Sequence, residues 1–233
     1  MPASLILVPT PIAESLPLEA VALARLQADC LKPEIGILVE EHKIARIRWL
    51  AWGLPREAIE RFELLNEHTQ GDKTAELIRG MKSGKQYYLL SDAGLPAFCD
   101  PGQSLVDACH EAKLTVTSTP FPNSIALALA LSGFSHQRFF FAGFLPANGE
   151  ERKLELEKLS KTPDTLILMD TPYRLTALMK DLAASSLKKR KCFLAMNLNA
   201  ESEDLIRGDI SAIAARAEAL GKREFILILG PAK

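Results

Sequence analysis

Short apolar runs and stretches of helical spacing take turns along the first half of the chain. Leu5-Ile6-Leu7-Val8 is stopped by Pro9-Thr10-Pro11, the mark of a buried strand that ends in a loop. Leu18 to Leu26 carries helical apolar spacing, and Ile35-Gly36-Ile37-Leu38-Val39 is a second buried strand, closed by Glu40-Glu41-His42-Lys43. A helix then places Ile44, Ile47, Leu50 and Ala51 on one face and ends near Gly53-Leu54-Pro55. Strands follow at Phe62–Leu65, Tyr87–Leu90 and Leu114–Ser118, with helices at Ala75–Met81 and Leu105–Ala112 between them. Regular alternation of this kind predicts a parallel sheet covered by helices, with ligands outside the carboxyl ends of the strands.

The pattern changes after Thr119-Pro120-Phe121-Pro122-Asn123, and a domain boundary is placed near Pro120. The Ala-rich stretch from Ser124 to Leu131 suits a buried helix, and a strand is expected at Arg138–Phe141. Gly143 to Gly149 reads as a break, followed by a charged amphipathic helix from Glu150 to Leu159. Further strands are expected at Thr165–Met169, Cys192–Asn197 and Glu224–Leu229, separated by helices at Leu175–Ala183 and Ile210–Leu220. The reading is α/β throughout: a parallel-sheet domain over 1–119 and a mixed-sheet domain over 120–233.

Composition narrows the setting. Hydrophobic residues make up 48% and charged residues 24%, the balance of an ordinary globular protein. The first residues lack a basic segment before an apolar one, and no apolar run is long enough to cross a bilayer, so a cytoplasmic location is expected. Cys30, Cys99, Cys109 and Cys192 are scattered, as are the four histidines; they read as buried or half-buried thiols in a reducing compartment, and no metal site is expected. A net charge of -1 is not that of a strongly basic nucleic-acid binder. Two basic runs remain, Lys43 with Arg46 and Arg48, and Lys188-Lys189-Arg190-Lys191; each is either solvated surface or a site for RNA phosphates.

The turn after the first strand, Val8-Pro9-Thr10-Pro11-Ile12, has no glycine, which disfavours both a Rossmann-type dinucleotide site and a Rossmann-type methyltransferase. The informative loop is Ser91 to Gly102, Ser-Asp-Ala-Gly-Leu-Pro-Ala-Phe-Cys-Asp-Pro-Gly, between a buried strand and a helix. Gly94 and Gly102 permit positive φ, while Pro96 and Pro101 stiffen the turns. Asp92 offers a carboxylate at the strand end, and Asp100 suits an N-terminal cap. This is the composition of a ligand loop.

That loop resembles the Ser-Asp-Ala-Gly-x-Pro…Asp-Pro-Gly signature of the ribosomal RNA small-subunit cytidine 2′-O-methyltransferases, a branch of the tetrapyrrole methylases. Four further segments, in the same order and spacing, extend the resemblance over nearly the whole chain. Leu7 to Ile12 is similar to the family's opening strand and loop, Glu67-His68 to its His-Glu-His, Phe140 to Pro146 to its Phe-x-Gly-Phe-Leu-Pro, and Asp170-Thr171-Pro172-Tyr173-Arg174 to its Glu-Ser-Pro-His-Arg. The resemblance implies two α/β domains with a cofactor cleft between them, S-adenosylmethionine as cofactor, and a homodimer. Carried over by position, the cofactor residues are Val8, Pro9, Thr10 and Pro11, then Asp92, Ala93, Gly94 and Leu95, then Ser124, Ile125 and Thr171.

Departures from the family pattern bear on the acceptor. Ala13-Glu14 replaces its Gly-Asn, Asn66 its first His, and Phe121 a glycine beside the expected cofactor cleft. Val39 to Lys43 keeps the charges of Ala-Glu-Asp-Thr-Arg but loses the hydroxyl. Ala195 to Ala200 lacks the Arg, Glu and Lys that the family carries there, the residue types that bind phosphate.

Methyl transfer to a ribose hydroxyl needs donor and acceptor held at attack distance and a base for the departing proton. His68, Glu67 and Glu40 are the candidate bases; His68 titrates nearest neutrality and is equally readable as a structural histidine. Asp92 reads as a cofactor-pocket residue, and Arg174 either binds phosphate or pairs with Glu40 or Glu41. Three functions follow: a ribose 2′-O-methyltransferase of small-subunit ribosomal RNA, contacting it through Lys43, Arg46, Lys188, Lys189 and Lys191; a methyltransferase for a small molecule or another RNA; or a non-catalytic cofactor-binding module, if Phe121 fills the cleft. The Phe139-Phe140-Phe141 run and the aromatics Trp49 and Trp52 are candidates for the dimer contact, with one tryptophan able to serve as core instead.

Overall fold

A computed structural model describes residues 4–13, 15–67, 69–121 and 123–232. The chain divides into two compact units, the first ending at Phe121. In the first, strands β1 (Leu5–Val8), β2 (Ile35–Val39), β3 (Phe62–Leu64), β4 (Gln86–Leu90) and β5 (Val116–Ser118) form one sheet in the order β3-β2-β4-β1-β5, parallel throughout.

Helices α1 (Ala20–Asp29), α2 (His42–Ala51), α3 (Gln70–Lys82) and α4 (Gln103–Glu111) connect the strands. Successive strand residues enter opposite cores, which is why the strands read as continuous apolar runs. Ile6, Val8, Ile37, Val39, Tyr88 and Leu90 face one core with Leu26 of α1 and Trp49 of α2. Leu5, Leu38, Tyr87 and Leu89 face the other, with Leu77 of α3 and Leu105 of α4.

The second unit holds a five-stranded sheet of β6 (Phe139–Phe144), β7 (Thr165–Asp170), β8 (Lys191–Met196), β9 (Asp204–Asp209) and β10 (Phe225–Leu229), in the order β6-β7-β10-β8-β9. β10 lies antiparallel to both β7 and β8 and β6 lies parallel to β7, so the sheet is mixed. Helices α6 (Gly149–Ser160), α7 (Leu175–Ala184) and α8 (Ile210–Ala214) join the core formed by Leu166, Leu168, Leu194 and Leu227. Helix α5 (Ser124–Ser132) packs Ile125, Ala128 and Leu129 with Ile167, Phe193 and Ile228.

Several expectations are corrected. The buried face of α2 is Arg48 and Trp49 flanked by Ala45 and Trp52, whereas Ile44 and Ile47 are exposed. The true stripe, 45-48-49-52, is turned by one position from the expected 44-47-50-51, because the largest apolar side chain decides which face is inward. Trp49 is therefore core, its ring edge-on to Phe62 and its Nε1 donating to the Pro55 carbonyl at 2.8 Å, and it is not a dimer contact.

The β6 strand runs on through Gly143, where φ is +64° and the pairing to β7 shifts, to Phe144. Strand β9 was not expected, and α8 is only five residues long, with turns after it. Cys30, Cys109 and Cys192 are buried, the last pushed up to about 12 by burial, but Cys99 is exposed. Among the described residues no helix is long and apolar enough to cross a membrane.

Candidate functional site

The loops after β1 and β4 emerge from neighbouring strands and are tied together. Thr10 and Gly94 exchange both backbone hydrogen bonds, at 2.8 and 3.0 Å, in an isolated antiparallel bridge. The buried Thr10 hydroxyl donates to the Ser91 carbonyl at 3.1 Å, and the Ser91 hydroxyl donates to the Gly94 carbonyl at 3.0 Å. Gly94 adopts φ +89°, a left-handed conformation that lets the turn close back on the first strand's loop. Arg48, expected on a basic surface patch, is instead buried and donates to the Pro11 carbonyl at 2.6 Å. Lys43 and Arg46 stay exposed.

Three carboxylates gather at this edge. Glu40, directly after β2, accepts the Asp92 backbone N–H at 3.2 Å. Asp92 is half-buried, and its Oδ1 is fully enclosed without a hydrogen-bond donor among the described residues. Burial, then the charges of Glu40 and Glu41, push its carboxyl up to about 6. Burial and the Glu40 charge push Asp100 up to about 7, against its hydrogen bond with Ser91. Gly102, not Asp100, is the N-cap residue of α4, at φ +119°, and a Cβ there would sit 2.7 Å from Leu89 Cδ2. Glu41 caps α2 through the Lys43 and Ile44 N–H groups, which hold its carboxyl below the usual range.

Of the other candidate bases, Glu67 is exposed in the turn after β3, and His68 lies outside the described residues. Asn66 forms a reciprocal pair with Thr69: each backbone N–H donates to the other's side chain, at 3.0 and 3.1 Å. Beside β1, at the end of β5, the buried Thr119 hydroxyl has no hydrogen-bond partner among the described residues. Phe121 is half-buried.

In the second unit, two of the resembling segments hold each other. Arg174 donates to the Leu145 and Pro146 carbonyls at 2.8 and 2.7 Å and pairs with the buried Asp170 at 3.3 Å. It is thus committed to the loop after β6 and to Asp170. Asp170 also accepts the Thr171 N–H at 2.7 Å, and burial raises its carboxyl. Ile125 lies in the core, and its N–H, like that of Ala126, goes to the Asn123 side chain that caps α5. Past β8, Asn197 and Asn199 sit at φ +47° and +64°, and the Asn199 N–H donates to Glu203 at 2.7 Å. Asparagine tolerates that backbone region better than Arg, Glu or Lys, which gives this turn a local reason for its composition.

The second basic run is only half available. Arg190 is buried and donates to the carbonyls of Thr162, Asp164 and Gly230, and Lys191 pairs with Asp209 at 2.7 Å. Lys188 and Lys189 are exposed at the amino end of β8, the opposite edge of the sheet from Asp170–Arg174.

The place of Asp100 in an acid cluster, the buried Thr119 hydroxyl and the tether from Arg48 are not legible in the sequence. Nothing in the local pattern marks Thr119, whose placement depends on the pairing of β5 with β1.

The sequence profile of the tetrapyrrole (corrin/porphyrin) methylases matches residues 6–214. The ribosomal RNA small subunit methyltransferase I of Micromonospora olivasterospora is 32% identical over 97% of this chain and 70% of its own length. That of Synechocystis is 36% identical over 72% of this chain, and the match spans 60% of its length.

Among solved structures, a diphthine synthase superposes with TM-score 0.66 at 15% identity, over 98% of this chain and 90% of that one. A uroporphyrin-III C-methyltransferase from Thermus thermophilus, complexed with S-adenosylhomocysteine, superposes with TM-score 0.55 at 16% identity, over 98% and 97%. The chain belongs to the tetrapyrrole methylase family and is a methyltransferase.

Proposed function

We propose that this enzyme methylates a ribose 2′-hydroxyl of small-subunit ribosomal RNA in the cytoplasm, and that it works as a homodimer. The observation that carries the acceptor is its likeness, over nearly the whole chain, to relatives named for that RNA. Bound S-adenosylmethionine supplies an electrophilic methyl group, with hydroxyls and an ammonium that need acceptors. The enclosed, donor-less Oδ1 of Asp92 suits one of those donors, as does the unpartnered Thr119 hydroxyl. We assign Val8 to Pro11 and Asp92 to Leu95 to the cofactor; the family resemblance adds Ser124, Ile125 and Thr171.

The ribose proton needs a base with an affinity near the working pH. Glu40, Glu67 and His68 remain candidates, and Asp100, raised to about 7, joins them. Incubation with labelled S-adenosylmethionine and 30S subunits, followed by nucleoside mass spectrometry, tests the reading. A ribose-methylated nucleoside is expected; label on a base, or on no RNA despite cofactor binding, would refute it. The second outcome favours a small-molecule acceptor, the alternative supported by the loss of Arg, Glu and Lys from Ala195–Ala200.

The dimer contact is assigned to β6, an edge strand with Phe139, Phe140 and Phe144 exposed. Exposed apolar edges of this kind are otherwise aggregation hazards. Light scattering should report twice the mass of one chain, and a monomer at every concentration would overturn the assignment.

A further inference from the structure

The carboxyl edge of β7 presents one aromatic ring to solvent on a rigid base. Thr171 and Arg174 are fixed by Asp170, and the Arg174 N–H closes a turn on the Thr171 carbonyl at 3.0 Å. Pro172 opens the single 3-10 turn, and Arg174 is clamped on the loop after β6. Between these anchors Tyr173 is 74% exposed, the most exposed large apolar side chain among the described residues. The β10 register, Phe225 opposite Asp170, brings the segment before β10 alongside, and Lys222 Nζ lies 4.6 Å from the Tyr173 ring centroid.

We propose that Tyr173 and Lys222 form a docking point for single-stranded RNA, a nucleobase stacking on the ring while a phosphate meets the ammonium. The inference rests on the RNA-acceptor reading above. Surfaces that hold single strands combine aromatic platforms with cations, and an aromatic held rigid before binding loses little entropy on stacking. Neighbouring charges leave Lys222 as the available cation. Arg223 reaches Asp204 at 3.5 Å and Glu203 accepts the Asn199 N–H, whereas no carboxylate among the described residues lies within ion-pair distance of Lys222. The exposed pair Lys188 and Lys189, at the opposite sheet edge, has no aromatic ring stacked with it among the described residues.

The test compares wild type, Tyr173→Ala, Tyr173→Phe and Lys222→Ala for methyl transfer to 30S subunits, for subunit binding across salt, and for S-adenosylhomocysteine affinity by calorimetry. Tyr173→Ala should raise the KM for subunits about tenfold, at the lower end of what one base–aromatic stack contributes, with kcat and S-adenosylhomocysteine affinity unchanged. Tyr173→Phe keeps the ring and should stay within about twofold of wild type. Lys222→Ala should lower the logarithmic salt slope by about 0.7, one phosphate contact on a single strand.

Unchanged KM and slope in a wild type that does methylate RNA would overturn the docking point alone. A Tyr173→Ala protein that keeps its RNA kinetics but falls to half the mass in light scattering would also overturn it, marking a protein contact. A wild type that binds S-adenosylhomocysteine and labels no RNA would remove the RNA reading and this inference with it.

Discussion

Asp100→Asn tests whether the ligand loop carries an electrostatic cost. A free aspartate titrates near 3.8, and Asp100 is raised to about 7 by burial and by the Glu40 charge. At about 1.4 kcal/mol per unit, the gap corresponds to about 4 kcal/mol. The carboxyl is only half-buried, and solvent screening reduces this to about 1–2 kcal/mol. The sign follows from proton counts. Between pH 4 and 7 the folded protein keeps a proton that the unfolded chain has released, so stability falls as pH rises, and the loss is complete above pH 7. Asparagine keeps a polar side chain beside Ser91 and carries no charge. The variant should therefore match wild type near pH 4 and exceed it at pH 8 by about 1–2 kcal/mol, about 3–6 °C in Tm for a chain of this size. Thermal unfolding at the two pH values, with methyl transfer measured in parallel, gives the answer. A Tm difference that is the same at both would refute the reasoning.

Three further outcomes follow from named contacts. Gly102→Ala puts a Cβ 2.7 Å from Leu89 Cδ2 at φ +119° and should cost about 1–3 kcal/mol in urea unfolding; a neutral result would mean that α4 can shift. Arg48→Met frees the Pro11 carbonyl and should cost about 1.5–3 kcal/mol and weaken S-adenosylhomocysteine binding in calorimetry, because the β1 loop loses its tether. Arg190→Met should lower Tm by several degrees, about 2–4 °C per kcal/mol lost, while Lys188→Ala with Lys189→Ala leaves it unchanged; equal effects would contradict the buried placement of Arg190.

Most strands were legible because they are buried on both faces and read as unbroken apolar runs between turn residues. Strand β9 was not, since Asp204 to Asp209 lies at a sheet edge where only alternate residues are covered, and its apolar content is two residues in six. Arg48 and Arg190 were read as surface because a cation's sequence context does not show which carbonyls tertiary packing will bring to it. The ligand loop was legible from its glycines and prolines, and Asp92 from its place at a strand end. Asp100 was assigned to a cap because N-caps are local features, whereas its closeness to Glu40 depends on β2 and β4 lying side by side.

The central position of β10 has a consequence for the order of folding. Its partners β7 and β8 do not touch each other in the sheet, so both precede in sequence the strand that joins them. The second unit cannot close its sheet until Phe225 to Leu229 is available, and until then β7 and β8 each present an open, apolar edge. Synthesis from the amino end lets the first unit, complete by Phe121, fold while the second waits. That interval is when the chain is most exposed to misassembly, and changes within β10 should harm recovery of folded protein more than changes of equal size in β5.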